Sequence, residues 1–219
     1  MDMKELADAE QQWLDIWARG PQRVRWDRIP LQVGDPAPDL ELLDHTGDPT
    51  RLSSLWADGP AVILFWRHFG CSCGRDRARR LRDEYAELVN LGATVTIVGQ
   101  GAPERAAVYR DRNEIPCTIL SDPDESAYRA FDVLEGTTAQ VLFDASDELL
   151  ACELHAGIDL AASRHGTAAA SVDNPFLLPA EFVIIDGIVQ LAYRYQYCED
   201  WPDPRVLTAA IRFPAAPAS

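Results

Sequence analysis

The stretch AVILFWRHFGCSCGR, residues 61–75, sets the fold of this chain. Its first six residues are apolar, which is typical of a strand buried on both faces of a sheet. A short polar turn follows, and a long helical pattern begins near Ser72. Cys71 and Cys73 are therefore predicted to lie where a buried strand passes into the N-terminus of a helix.

That position has consequences for the chemistry of the two cysteines. The free backbone N–H groups and the dipole at a helix N-terminus favour negative charge. A cysteine held there has its thiolate favoured, and the thiolate is the reactive form. Arg67, Arg75 and Arg77 add positive charge close by in sequence. The sequence thus predicts a reactive cysteine in this turn, either Cys71 or Cys73.

The whole chain has an ordinary globular composition with a strong acidic bias. Its 219 residues suffice for one domain with extensions, and its net charge of -15 argues against nucleic acid and anionic membranes as partners. No signal-peptide pattern opens the sequence, and no apolar run approaches the roughly 20 residues of a membrane helix. The five cysteines are an odd number and do not suggest a disulfide framework. We therefore expect a cytoplasmic protein.

Strand and helix patterns alternate through the first two thirds of the chain. An amphipathic helix opens the sequence over residues 3–19. After the strand at 61–66, the patterns predict helices at 75–90, 103–113 and 125–131 and strands at 94–98 and 115–121. This order is the signature of a parallel α/β sheet.

The alternation stops at residues 135–178, which we interpret as an insertion that covers a cleft. Helices are predicted within it at 138–143 and 146–163, followed by a loop at 164–175. Two strands then flank Asp186-Gly187, a hairpin signal, and Asp203-Pro204 opens a final helix. The predicted organisation is an N-terminal helical extension (1–32), a main domain (33–212) and a tail (213–219).

Four segments resemble, in order, the peroxiredoxin-like (AhpC/TSA-type) branch of the thioredoxin-fold superfamily. They are VGDPAPDLELLD (33–44), FWRHFGCSCGR (65–75), ILSDPDESAYRAFDV (119–133) and LPAEFVIIDG (178–187). The resemblance implies a thioredoxin-like α/β fold, with a central mixed sheet flanked by helices. An N-terminal helix and a helical insertion before the C-terminal hairpin would be added to that fold.

The resemblance also assigns roles to individual residues. Cys71 matches the reactive cysteine, and Pro179 matches the cis-proline whose loop faces it. Typical members carry Pro and Thr seven and three residues before the reactive cysteine, where this chain has Leu64 and His68. Members with a C-x-x-C motif have a second cysteine where this chain has Gly74. The usual means of peroxide activation is therefore absent.

A peroxide-reducing cysteine needs a charged or polar partner that stabilises the departing oxygen. The candidates are Arg67, His68 and Arg205, the last because it resembles an Arg that opens the family's final helix. Phe69 is a candidate wall of the site, facing the substrate together with Pro179.

The oxidised cysteine becomes a sulfenic acid, which a second thiol converts to a disulfide. Cys73 is nearest in sequence, although a C-x-C disulfide closes a tight, strained ring. Cys198 is the alternative, because it follows a strand that returns to the active-site end of the sheet. Cys117 and Cys152 are more simply buried small hydrophobic residues.

The predicted function is thiol-dependent oxidoreduction of a hydroperoxide or disulfide substrate, with Cys71 as nucleophile. A thioredoxin-like protein or a low-molecular-weight thiol would be the reductant, and no resident cofactor is expected. One alternative is a non-enzymatic module for binding or dimerisation, which the missing Pro and Thr suggest. Separately, the tryptophans of the first helix suggest a possible homodimer. The other is a metal site in which Cys198 or His165 completes the set His68, Cys71 and Cys73.

Overall fold

The computed structural model describes residues 3–143 and 173–215. Seven strands within these ranges form one sheet. The strands are β1 (Glu41–Asp44), β2 (Pro49–Arg51), β3 (Ala61–Phe65), β4 (Thr94–Gly99), β5 (Thr118–Ser121), β6 (Ala180–Ile185) and β7 (Ile188–Arg194). Their order across the sheet is β2-β1-β5-β4-β3-β6-β7. Strands β3, β4 and β5 are parallel, and β6 runs antiparallel to β3, so the predicted mixed sheet is confirmed.

Helices cover both faces of this sheet. The α-helices of the described ranges are α1 (Met3–Arg19), α2 (Ser72–Asn90), α3 (Pro103–Arg112), α4 (Ser126–Ala130) and α5 (Pro204–Arg212). A 3₁₀ helix precedes β3 over Leu52–Trp56, and a π-helix spans Ala139–Phe143. Within the described ranges, no helix is both long and apolar enough to cross a membrane.

Strand β3 is the centre of the protein, as its sequence predicts. All five of its residues are buried. Because side chains alternate along a strand, Ala61, Ile63 and Phe65 enter the apolar core on one face, whereas Val62 and Leu64 enter the core on the other. The continuous apolar run is therefore explained by burial on both faces of the sheet.

The C-terminal hairpin also follows its sequence signal. Asp186 and Gly187 join β6 to β7, and both have positive φ angles, 52° and 76°. Two left-handed residues in succession form the tight turn that matches the twist of the flanking strands. The final helix begins as predicted, since the Asp203 side chain accepts a hydrogen bond from the Arg205 backbone N–H.

Some predicted boundaries differ from the structure. Strand β5 begins only at Thr118, three residues later than predicted, and Pro116 supplies no N–H group for ladder pairing there. Helix α2, by contrast, begins at Ser72 as expected, so that Cys73 belongs to its first turn. The helix predicted at 146–163 lies outside the described residues.

Candidate active site

Cys71 lies at the junction that its sequence predicts. It is the N-cap of α2, with extended backbone angles (φ -73°, ψ 136°), and it follows the carboxyl end of β3. Its backbone N–H donates to the carbonyl oxygen of His68 at 3.1 Å, which closes the turn between strand and helix. The Cys71 side chain is almost fully buried at 1% exposure. The sulfur is therefore held at the positive end of a 19-residue helix, away from bulk water.

Arg67 supplies a full positive charge to this sulfur. Its Nη1 lies 3.1 Å from Cys71 Sγ, and the guanidinium is itself buried at 1% exposure. Two other nitrogens of the same group, Nε and Nη2, donate to the carbonyl oxygen of Pro175 at 3.0 and 2.6 Å. The guanidinium is fixed between these partners. A positive charge at hydrogen-bond distance favours the thiolate form of a cysteine.

Cys73 and Cys198 belong to the same apolar cluster as Cys71. We call it the cysteine cluster; its members are Cys71, Cys73, Val141, Phe176, Leu178 and Cys198. The hydrogen bond between Cys73 and Cys71, together with burial, raises the pKa of the Cys73 thiol well above its usual value. The structure thus brings together all three cysteines singled out for the site.

A small cavity of about 10 Å³ adjoins the cluster. That is room for about one water-sized molecule. Residues from five parts of the chain line it, among them Arg67, Cys73, Pro179, Tyr195 and Cys198. The arrangement admits a small polar molecule next to the arginine and two of the cysteines.

Buried charged and polar side chains form the far wall of this cavity. Glu181 is 2% exposed and accepts hydrogen bonds from Arg77 at 2.7 Å and from the Tyr195 hydroxyl. Burial, and then the adjacent Glu181 carboxylate, raise the pKa of Tyr195 well above its usual value. The Tyr195 hydroxyl therefore stays protonated and donates to Glu181 at neutral pH.

The segment that presents Pro175 to Arg67 is anchored by groups that the sequence did not single out. Arg105 and Asp173 form a two-pronged ion pair, with distances of 2.7 and 2.8 Å, and both are buried. The Gln100 side chain donates to the carbonyl oxygen of Arg67 at 2.9 Å and accepts from the backbone N–H of Asn174 at 2.6 Å. Gln100 and Arg105 follow β4, whose carboxyl end lies at the same end of the sheet as that of β3, just before Cys71. This position in the sequence could have identified them as residues near the site.

Breaking the Arg105–Asp173 pair is expected to destabilise the protein. Arg105→Met leaves a buried carboxylate without its main partner, so the free energy of unfolding in urea should fall by about 3–5 kcal/mol. Arg212→Met, which removes an exposed ion pair with Glu87, is the matched control and should cost less than about 1 kcal/mol. Equal effects of the two substitutions would contradict the anchoring role.

Helix α1 covers the cysteine cluster. Ile16 and Trp17 pack against it, and the Trp17 ring meets Phe176 edge-on at 4.7 Å. Trp13 meets the buried His68 in the same manner, at 5.5 Å. The tryptophans that suggested a homodimer therefore make contacts within the chain, and the dimer stays a prediction.

Removing this cover is expected to expose the cysteines. Trp17→Ala should raise the rate at which Ellman's reagent labels the cluster by about tenfold or more, because truncating a packed aromatic residue costs a few kcal/mol of local packing. Trp26→Ala is the control, since Trp26 is 42% exposed and donates to the carbonyl oxygen of Asp132, away from the cluster. An unchanged labelling rate in Trp17→Ala would contradict the covering role of α1.

Two of the predicted site residues lie elsewhere. The prediction for Arg205 is wrong, because its side chain is 88% exposed and is held by Asp203 at 2.7 Å, on the surface. Phe69 does not wall Cys71; its ring stacks on Tyr109 at 4.5 Å. Gly99 and Gly101 make room for that ring, since a Cβ on either would lie within 2.5 Å of it.

Pro179 and His68 are close to the site, but the peptide bond before Pro179 is not cis, and His68 belongs to no metal centre within the described residues. Pro179 lines the cavity, yet no cis peptide bond occurs in the described residues, so the bond before it is trans, the form that X-Pro bonds favour by about 0.5–1 kcal/mol.

The described part of the chain also contains no group of three His, Cys, Asp or Glu residues arranged to hold a metal ion. The set His68, Cys71 and Cys73 is therefore not a metal centre there, and His165 lies outside the described residues.

Comparison with known proteins gives a consistent picture. The model of the AhpC/TSA family matches residues 33–190. The thioredoxin-like protein AAED1 of Arabidopsis thaliana is 27% identical over 118 residues, which are 54% of this chain and 48% of that protein. A putative peroxiredoxin bcp of Haemophilus influenzae is 32% identical over 105 residues, 48% of this chain and 66% of that protein. The chain thus spans about half to two thirds of the length of these relatives.

Among solved structures, the peroxidoxin BcpB of Mycobacterium tuberculosis is similar in fold. Its TM-score is 0.60 at 21% identity, and the match covers 83% of this chain and 97% of that one. The similarity therefore extends beyond the segments that match in sequence, and it supports the thioredoxin-like architecture of the sheet and its helices.

Proposed function

Because this chain belongs to the AhpC/TSA family, we propose that it is a thiol-dependent peroxidase whose nucleophile is the Cys71 thiolate. One observation carries the proposal: the Arg67 guanidinium lies 3.1 Å from Cys71 Sγ, at the N-terminus of α2. Helix and guanidinium both favour the charged sulfur. In this role Arg67 takes the place of the threonine that typical family members carry, a position held here by His68.

In the first step, the Cys71 thiolate attacks one oxygen of a hydroperoxide. An S–O bond forms and the O–O bond breaks, which gives the sulfenic acid of Cys71 and an alcohol or water after protonation. Negative charge moves from sulfur to the departing oxygen during this step. Arg67 is the donor that stabilises this charge, because its buried guanidinium is already fixed beside the sulfur.

A second thiol of the cysteine cluster then attacks the sulfenic acid, releasing water and forming a disulfide. An external thiol, either a thioredoxin-like protein or a low-molecular-weight thiol, restores the reduced state. The proposed cycle suits the cytoplasm, where reductants keep thiols reduced.

The small volume and the deep burial of the site favour a small hydroperoxide over a protein disulfide as the substrate. The three cluster cysteines are at most 2% exposed, and the cavity lined by Cys73 and Cys198 measures about 10 Å³. Disulfide exchange requires near contact between sulfurs, and a folded protein substrate does not reach so enclosed a group without opening of the cover.

The proposal is tested by following peroxide consumption with dithiothreitol as the reductant. Hydrogen peroxide should be consumed roughly 10²-fold or more faster than by free cysteine at equal thiol concentration, the effect of a fixed charge-stabilising donor. Cumene hydroperoxide, which is much larger than the cavity, should react more slowly than hydrogen peroxide. A rate no higher than that of free cysteine would favour the alternative, a non-enzymatic binding module.

A further inference from the structure

Cys73 belongs to the same packed cluster as both of the other site cysteines. Its thiol is hydrogen-bonded to Cys71, and it shares a wall of the small cavity with Cys198. Because all three cysteines share this cluster, Cys73 has both possible partners nearby.

The two possible disulfides of Cys73 differ in strain. A bond to Cys71 closes a ring across a single intervening residue, Ser72, at the start of a helix. Such a bond departs from relaxed disulfide geometry and is readily exchanged. A bond to Cys198 joins the first turn of α2 to the turn that follows β7, so it closes a long loop without that constraint.

From this arrangement we propose that Cys73 and Cys198 act in succession, as a relay that carries the disulfide away from Cys71. The inference rests on the proposed function and deepens it, because it assigns the order in which the cluster thiols react. In this order Cys73 first forms a disulfide with Cys71, and Cys198 then displaces Cys71 from that disulfide.

The relay consists of two reactions, each of which forms one disulfide bond. The Cys73 thiol attacks the sulfur of the Cys71 sulfenic acid, which forms the Cys71–Cys73 disulfide and releases water. The Cys198 thiolate then attacks the Cys73 sulfur, so that a Cys73–Cys198 disulfide forms and Cys71 leaves as a thiolate. The Cys198 proton passes to solvent. No further oxidant is needed, since the peroxide has already supplied the two-electron oxidation.

The electrostatics of Cys73 support this order. The hydrogen bond to Cys71 and the charge of Cys71 both raise the pKa of Cys73 while Cys71 is a thiolate. Oxidation of Cys71 to the neutral sulfenic acid removes that charge. Oxidation therefore removes one of the causes that raise the pKa of Cys73, so that Cys73 becomes a better nucleophile after Cys71 has reacted.

The product of the relay is a protein in which Cys71 is again free. The new disulfide lies at the turn after β7, next to Trp201, whose ring is partly exposed and lies under the Arg80 guanidinium at 4.6 Å. An external thiol then reduces the Cys73–Cys198 disulfide rather than a bond to the nucleophile.

The test is disulfide mapping by mass spectrometry after one equivalent of hydrogen peroxide, with alkylation of the remaining thiols. The wild-type protein should carry a Cys73–Cys198 bond and an alkylated Cys71. Cys198→Ser should stop at the Cys71–Cys73 bond. Cys73→Ser should accumulate the Cys71 sulfenic acid, trapped by dimedone, and should form a disulfide at least tenfold more slowly than the wild-type protein.

Two results would overturn the relay while leaving the peroxidase intact. One is a wild-type end product that joins Cys71 to either cysteine. The other is a Cys73→Ser variant that forms a Cys71–Cys198 bond as fast as the wild-type protein forms its disulfide. Failure of the proposed function itself is distinguishable, because dimedone would then label no Cys71 in Cys73→Ser.

Discussion

Replacing Cys71 by serine is expected to abolish peroxide-dependent loss of thiols and to lower the rate of peroxide consumption by about 10³-fold or more, as removal of an enzyme's nucleophile does. A serine hydroxyl at this position is not ionised at neutral pH and cannot form a sulfenic acid. Peroxide consumption with dithiothreitol and thiol titration after one equivalent of hydrogen peroxide both measure the effect.

Cys117→Ser is the matched control for this substitution. Cys117 is also buried, at 5% exposure, but it precedes β5 and belongs to a different apolar cluster, where burial raises its pKa to about 12. Its thiolate is scarce at neutral pH, so its loss should leave the peroxide rate unchanged. Equal losses of activity in the two variants would mean that Cys71 acts only through the fold.

Arg67→Lys is expected to have the second largest effect. Lysine keeps the positive charge but lacks the planar fork that contacts Cys71 Sγ and the Pro175 carbonyl at the same time. The second-order rate constant with hydrogen peroxide should fall by about 10²-fold, the usual cost of losing one fixed charge-stabilising donor. Stopped-flow tryptophan fluorescence is a suitable measurement, because Trp17 packs against the cysteine cluster.

Arg205→Lys is the control for Arg67→Lys, since Arg205 is exposed and paired only with Asp203 among the contacts described for it. It should leave the rate constant within a factor of about two, as surface charge pairs contribute little. A rate constant for Arg67→Lys that equals the wild-type value, in a variant with unchanged urea stability, would remove Arg67 from the mechanism.

Much of this architecture was predictable because its causes are local. The apolar run of β3, the cap at Asp203 and the Asp186-Gly187 turn each encode their structure within a few residues, and the structure confirms all three. The placement of Cys71 at a helix N-terminus follows from the same logic, since a strand and a helix meet there.

The rest of the site depends on contacts between distant parts of the chain. The pairing of Arg105 with Asp173 spans 68 residues, and no local pattern marks Asp173. The position of Phe69 depends on Gly99, at the end of β4, and on Gly101. The Arg205 side chain, by contrast, is held locally by its own N-cap aspartate. The resemblance of Arg205 to one family arginine did not predict a contact with Cys71. Arg67, which lies four residues before Cys71 in sequence, does make that contact.

The most direct test of the account is the intact mass and thiol content of the reduced protein before and after one equivalent of hydrogen peroxide. We expect rapid loss of two thiols and of two hydrogens in mass, both absent in Cys71→Ser. A protein that keeps its thiols, with Cys71 no more reactive than free cysteine, would contradict the central claim that Arg67 and α2 activate Cys71 toward peroxide.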